Sequence, residues 1–323
     1  MNFPHRTIGS TDLRIAPLVL GGNVFGWTAD KATSFAILDA FVEHAAQGGG
    51  AVMIDTADVY SAWVPGHRGG ESESVIGEWL RASGQRDRVL IATKVGMLPG
   101  DGGEKLAPAR IASACDASLA RLGVDRIDLY YAHQDDDAVS QEDYLAAFGR
   151  LVQAGKVGVV GASNFTAARL ATAVELARDN SGLPRFQVLQ PEYNLVSRGA
   201  FEGELQDLCV RENIGVLPYY GLASGFLTGK YRSDDDLGKS VRGGRMQALL
   251  EGKGPAVLAA MDRISAETGA TLAQIALAWL MARDAVTAPI ASATSVEQLQ
   301  GLLPAIALKL SPDQLDQLTT ADA

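Results

Sequence analysis

From Pro17 onward, short apolar runs alternate with amphipathic stretches at a nearly regular interval. The runs lie at 17–21, 51–54, 88–93, 127–132, 156–160, 186–189, 214–218 and 286–290. They are continuously apolar rather than alternating, which is the pattern of strands buried on both faces. Helical patterns fill the intervals at 31–46, 71–82, 108–121, 141–153, 167–178, 200–211 and 255–282, then at 295–303. Ahead of them, residues 5–17 alternate around Gly9-Ser10-Thr11-Asp12, which predicts a hairpin. Ser311-Pro312-Asp313 opens a further helix over 311–322. Eight strand–helix units close into a parallel barrel more naturally than they form a doubly wound sheet. The pattern therefore predicts one α/β domain over 1–323, a (β/α)8 barrel with an N-terminal β-hairpin and an extra C-terminal helix. The stretch 228–254 is poorly apolar, with Asp234, Asp235, Asp236, Lys239, Arg242 and Arg245 among glycines. It reads equally as a solvated loop or as a lid over the barrel mouth.

Composition narrows the function classes. The chain has 323 residues, and its net charge of −10 disfavours nucleic-acid backbones and anionic lipid without a basic patch, of which the sequence has none. Cys115 and Cys209 stand far apart with no metal spacing, so two inert thiols and no metal site are expected. The opening MNFPHRTIGS lacks the apolar stretch of a secretory leader, and no 18-residue apolar run follows. A cytoplasmic location without membrane association is the expectation.

In such a barrel, chemistry sits at the C-terminal ends of the strands. Reading those positions in order gives Asp55 and Tyr60 after the second run, Lys94 at the end of the third and His133 at the end of the fourth. Singly each has a bland reading: a cap, a packed ring, a surface charge, a buried imidazole. Together they are a carboxylate, a phenol, an ammonium and an imidazole facing one mouth. Reducing a carbonyl with hydride needs a proton donor to the developing alkoxide. A free phenol titrates near 10. An ammonium about 4 Å away, at an effective dielectric of about 20, favours the phenolate by roughly 4 kcal/mol. Lys94 is thus expected to draw Tyr60 toward neutrality, Asp55 to hold Lys94, and a neutral His133 to orient the carbonyl. Phe25, Trp27 and Trp63 follow the first two strands and are the candidate walls of a substrate pocket for an apolar or sugar-like carbonyl. Trp79 lies in a helical pattern and reads as core.

These segments resemble the aldo-keto reductase family nearly end to end. RTIGSTDLRIAPLVLGG is similar to its hairpin and first strand. IDTADVY, GESESVIGEWL, IATKVG, RLGVDRIDLYYAHQDD, GKVGVVGASNF, QPEYNL, GVLPYYGLASGFLTGKY and ATSVEQL follow in its order. The subgroup resembles bacterial reductases and potassium-channel β subunits. The resemblance implies a TIM barrel and an NAD(P)(H)-dependent oxidoreductase interconverting carbonyls and alcohols. It implies that Ser163, Asn164 and Gln190 hold the nicotinamide carboxamide, that Tyr219 stacks on the ring, and that Gly22 and Asn23 border it. Tyr220, Gly221, Leu222, Ala223, Ser224 and Lys230 would line the pyrophosphate, and Ser292, Thr294 and Gln298 the adenosine phosphate, at a helix N-terminus that favours anions.

The family leans to NADP(H), with Lys230, Arg242 or Arg245 available to a 2′-phosphate and NAD(H) possible. Three departures bear on this. Gly301-Leu302 replaces a Glu-Asn pair, Ser292 and Gln298 stand where the family places a cation, and Tyr220-Gly221 replaces Ser-Pro. No GxGxxG follows a first strand, which argues against the doubly wound route to the same cofactor. A redox-sensing subunit with little turnover is the alternative, and the intact quartet favours the enzyme.

Overall fold

The computed structural model describes residues 5–46, 51–239 and 246–321. Strands β1 (Arg6–Thr7) and β2 (Arg14–Gly21) form the antiparallel hairpin. Gly9 makes its turn at φ +51°, and the Thr11 hydroxyl donates to the Ile8 carbonyl at 2.7 Å. β2 then continues as the first barrel strand. It is followed by β3 (Ala51–Asp55), β4 (Val89–Val95), β5 (Ile127–Ala132), β6 (Val157–Ser163), β7 (Val188–Gln190), β8 (Gly215–Val216) and β9 (Ile290–Ala291). Neighbours from β2 to β8 pair in parallel, and β9 pairs with β2. Between β8 and β9 the ring is closed by Val216 N–H to the Ala285 carbonyl at 3.0 Å and Thr287 N–H to the Val216 carbonyl at 2.8 Å.

Successive residues of a strand face opposite sides. Met53 joins Ile15, Val19, Leu129, Val188 and Leu217 in the barrel interior, while its neighbours Val52 and Ile54 pack against the outer helices. Both faces are dry, so the runs carry no polar alternation. The hairpin stoppers the N-terminal end. Ile8 enters the interior cluster, and the Arg6 guanidinium donates to the carbonyls of Met281 and Thr287 at 2.8 and 3.2 Å.

The outer layer comprises α1 (Lys31–Ala46), α2 (Glu71–Ser83), α3 (Pro108–Leu122), α4 (Gln141–Gln153), α5 (Ala167–Asp179), α6 (Glu204–Arg211), α7 (Gln247–Glu251), α8 (Gly254–Thr268), α9 (Leu272–Met281), α10 (Val296–Leu302) and α11 (Pro312–Thr319). The pattern over 255–282 is two helices rather than one. Gly269, at φ +71°, ends α8, and Thr271 with Gln274 closes a capping box that starts α9. α6 begins at Glu204, after Gly203, rather than at residue 200. The 228–254 stretch carries a 3₁₀ segment at Asp234–Lys239 as well as α7, so it is not a plain loop. Arg242 and Arg245 lie outside the described residues. Trp79 is core, with its indole N–H donating to Asp39 at 2.8 Å, and both cysteines are buried and free. No described helix is long and apolar enough to cross a membrane.

Candidate active site

All parallel strands end at one mouth, and the quartet meets there. Asp55 closes β3, Lys94 is the last residue but one of β4, and His133 follows β5. Lys94 has no exposed surface. Its ammonium donates to Asp55 Oδ2 at 2.6 Å, to the Thr56 carbonyl at 2.8 Å and to the Tyr60 hydroxyl at 3.0 Å. The Tyr60 and His133 rings stand edge to face, with centroids 6.1 Å apart. The sequence therefore brings together the four groups it nominated.

Their electrostatics differ from expectation at one point. Burial, and then the Asp55 carboxylate, push the Tyr60 phenol well above its ordinary value. The ammonium beside it is already paired with that carboxylate, so its net pull on the phenol is largely cancelled and desolvation prevails. Tyr60 is accordingly a neutral phenol, the form that can donate a proton. Burial lowers Lys94, with Asp55 opposing. His133 is pulled well below its ordinary value by burial and then by Lys94, so its ring is neutral, as the sequence reading held.

The residues nominated around the ring are tied into one network. Ser163, closing β6, donates to the Gln190 carbonyl at 2.8 Å, and Asn164, held at φ +56°, donates to the His133 carbonyl at 2.9 Å. The Tyr219 hydroxyl donates to Asn164 Oδ1 at 2.8 Å. The Gln190 amide donates to Asp55 Oδ1 at 2.8 Å, so it also fixes the carboxylate, a role the sequence reading did not assign. Ser292 donates to Asn23 at 2.6 Å between the ends of the paired strands β9 and β2, and a Cβ on Gly21 would overlap the Ser292 hydroxyl. Gly22 N–H donates to the Asp55 carbonyl at 2.7 Å. Tyr220, Ala223 and Ser224 adopt positive φ, folding the segment after β8 through Gly221 and Leu222 toward Lys230, whose ammonium lies 5.0 Å from the Tyr231 ring centroid. Thr294 donates through N–H and hydroxyl to Gln298 Oε1 at 2.9 and 3.0 Å. Hydroxyls and amides around the ring position, with one ammonium further out, are a donor set that fits a nicotinamide dinucleotide.

One nominated wall residue is corrected. Phe25 has no exposed surface, because its ring is packed into the layer between barrel and helices. Trp63 is 49% exposed, lies edge to face with Trp27 at 5.5 Å and stands 6.1 Å from Tyr60. Met97, after β4, is also exposed and was not nominated. Sequence reasoning likewise missed Asp58, Glu73, Arg110 and Arg121, which pair inside the wall. Partners 48 and 52 residues apart leave no local signal.

A closed parallel barrel with a buried ammonium bonded to a neutral phenol at its mouth defines a barrel enzyme equipped for proton transfer. The aldo/keto reductase family model matches residues 17–323, and the chain belongs to that family. It is 32% identical to norsolorinic acid reductase B of Aspergillus parasiticus, over 97% of this chain and 82% of that one. It is 33% identical to the oxidoreductase YrpG of Bacillus subtilis, over 96% and 93%, and 30% identical to L-glyceraldehyde 3-phosphate reductase of Escherichia coli, over 97% and 91%. The protein is an oxidoreductase that reduces carbonyl compounds with NAD(P)H.

Proposed function

We propose that Tyr60 delivers the proton in this reduction, with NADP(H) the preferred cofactor, NAD(H) the second, and an apolar, ring-bearing aldehyde or ketone the substrate. The observation that carries the reading is the 3.0 Å bond from the buried Lys94 ammonium to the Tyr60 oxygen. The cofactor supplies hydride to the carbonyl carbon. The carbonyl oxygen lies between the Tyr60 hydroxyl and the neutral His133 ring, both able to donate. As negative charge builds on that oxygen, Tyr60 passes its proton across, and the Lys94 ammonium, held by Asp55, stabilises the phenolate left behind. The alcohol is oxidised by the same steps reversed.

Ser163, Asn164 and Gln190 hold the carboxamide, and Tyr219, with Gly22 and Asn23 at the border, fixes which ring face meets the substrate. Tyr220, Gly221, Leu222, Ala223, Ser224 and Lys230 receive the pyrophosphate, and Ser292, Thr294 and Gln298 the adenosine end. Arg242, outside the described residues, is the candidate for the 2′-phosphate. A charge-assisted contact there is worth about 1.5–3 kcal/mol, hence roughly 10- to 100-fold in affinity. The substrate class is supported by Trp63 and Met97, exposed hydrophobics on the loops that follow β3 and β4. We place the enzyme in the cytoplasm, as one barrel domain.

A panel of aromatic, aliphatic and phosphorylated aldehydes, assayed by nicotinamide absorbance with both cofactors, tests the reading. The highest kcat/KM is expected for aromatic aldehydes with NADPH. A higher value for a phosphorylated triose, or no turnover with any carbonyl, would overturn the substrate class or the enzymatic role respectively.

A further inference from the structure

At the end of the barrel opposite the mouth, a cavity of about 600 Å³ opens to solvent between the hairpin, the end of α6 and the loop that joins α9 to β9. Two guanidinium groups line it, Arg6 from β1 and Arg283 from that loop, and Val210, Ile214 and Met281 supply apolar surface. Each arginine is held along one edge only. Arg6 Nη1 donates to the carbonyls of Met281 at 2.8 Å, Thr287 at 3.2 Å and Val286 at 3.4 Å, while its Nε and Nη2 have no partner among the described residues. Those two N–H groups form the parallel fork that matches a carboxylate. Arg283 lies over the Trp279 ring, 5.0 Å from its centroid, and its Nη1 reaches the Thr319 hydroxyl at 3.5 Å. Its Nε is buried without a partner.

Neither guanidinium forms an ion pair among the described residues, whereas Arg86, Arg110, Arg121, Arg169, Arg198 and Arg232 each hold a carboxylate. Carboxylates are in excess in a chain of net charge −10, so two half-buried cations left without one at a single cavity leave room for an anion from outside the chain. Burial lowers the Arg6 guanidinium from its ordinary value, a cost that a bound anion would relieve. Asp284 also lines the cavity, but its side chain is exposed, where its opposing charge is screened.

We propose that this cavity is a binding site for a small dicarboxylate, with one carboxylate taken by the Nε–Nη2 edge of Arg6 and the other by Arg283. The cavity is larger than a bare inorganic ion needs, and its apolar surface suits a short carbon chain between two charged ends. The occupant ties the hairpin to the loop after α9. It therefore stabilises the stoppered end of the barrel without touching the reacting groups.

Succinate is the probe, titrated by calorimetry into enzyme saturated with NADP+, so that the cofactor's own phosphate contacts are already filled. A dissociation constant on the order of 1 mM is expected, the affinity of two charge-assisted contacts, together with a higher melting temperature. Inorganic phosphate is expected to bind about tenfold more weakly, because one compact ion does not span both arginines. Arg283→Gln, which removes a cation, and Val210→Glu, which adds a carboxylate, should each weaken succinate about tenfold or more. Both should leave carbonyl reduction within about twofold. Val210 is exposed, so its variant carries the test even if Arg283→Gln folds poorly. No succinate binding up to about 10 mM overturns the proposal. So does binding that is unchanged in Val210→Glu or in a folded Arg283→Gln, which would put the anion elsewhere. Phosphate that binds as tightly as succinate overturns the dicarboxylate assignment.

Discussion

Asp55 shows how one side chain is shared between roles. Its two oxygens accept from Lys94 and from Gln190, at 2.6 and 2.8 Å, so it is both counter-ion and anchor. The Lys94 ammonium has no exposed surface, and burial already lowers its pKa. Asp55→Asn removes the carboxylate that opposes that shift, and leaves a buried cation beside neutral acceptors. The sign follows directly: the Lys94 pKa falls further, so the ammonium survives only at lower pH. Turnover of Asp55→Asn is expected to fall with rising pH, and to begin falling at lower pH than in wild type. A variant whose profile parallels wild type at a lower level would mean that Asp55 acts by geometry alone. The identity of this quartet was legible because Asp55, Lys94 and His133 sit at successive strand ends and Tyr60 lies in the turn after the first of them. The protonation of Tyr60 was not, because it depends on the cancellation of Lys94 by Asp55 rather than on either residue alone.

At the scale of elements, strands and helices were legible wherever one period ran uninterrupted. Continuous apolar runs marked β2 through β6, and Ser311-Pro312-Asp313 marked the start of α11. The joint between α8 and α9 was not marked, because Gly269-Ala270-Thr271 breaks the backbone without interrupting the apolar stripe. The approach of α2 to α3 was hidden for a different reason. Gly77 brings α2 so close to the end of α3 that a Cβ would overlap the Arg121 carbonyl and crowd Leu122, which only the assembled helices reveal. That approach also lets Glu73 reach Arg121. Gly77→Ala, which would favour an isolated helix, is here expected to destabilise by about 1–3 kcal/mol through overpacking. Urea denaturation checks it. An unchanged or higher midpoint would mean that the helices separate at little cost.

Across the whole molecule, the closed sheet turns residues scattered from Gly22 to Gln298 into one mouth, and the hairpin stoppers the other end. That division of labour explains why the candidate chemistry fell at strand ends while, among the described residues, the interior cluster is built of apolar side chains and the ring of Tyr131. The net charge of −10 sets the molecule against an anionic cofactor, so binding must rest on local donors and on few cations. The claim on which everything else depends is that Tyr60 supplies the proton while its neighbours bind and hold. Single-turnover reduction of an aromatic aldehyde by enzyme-bound NADPH, in wild type and Tyr60→Phe, tests it most directly, with cofactor affinity measured separately by protein fluorescence. The expected result is a rate of cofactor oxidation lower by about 10²–10⁴ with cofactor affinity unchanged. A Tyr60→Phe enzyme that oxidises bound NADPH at close to the wild-type rate would contradict it.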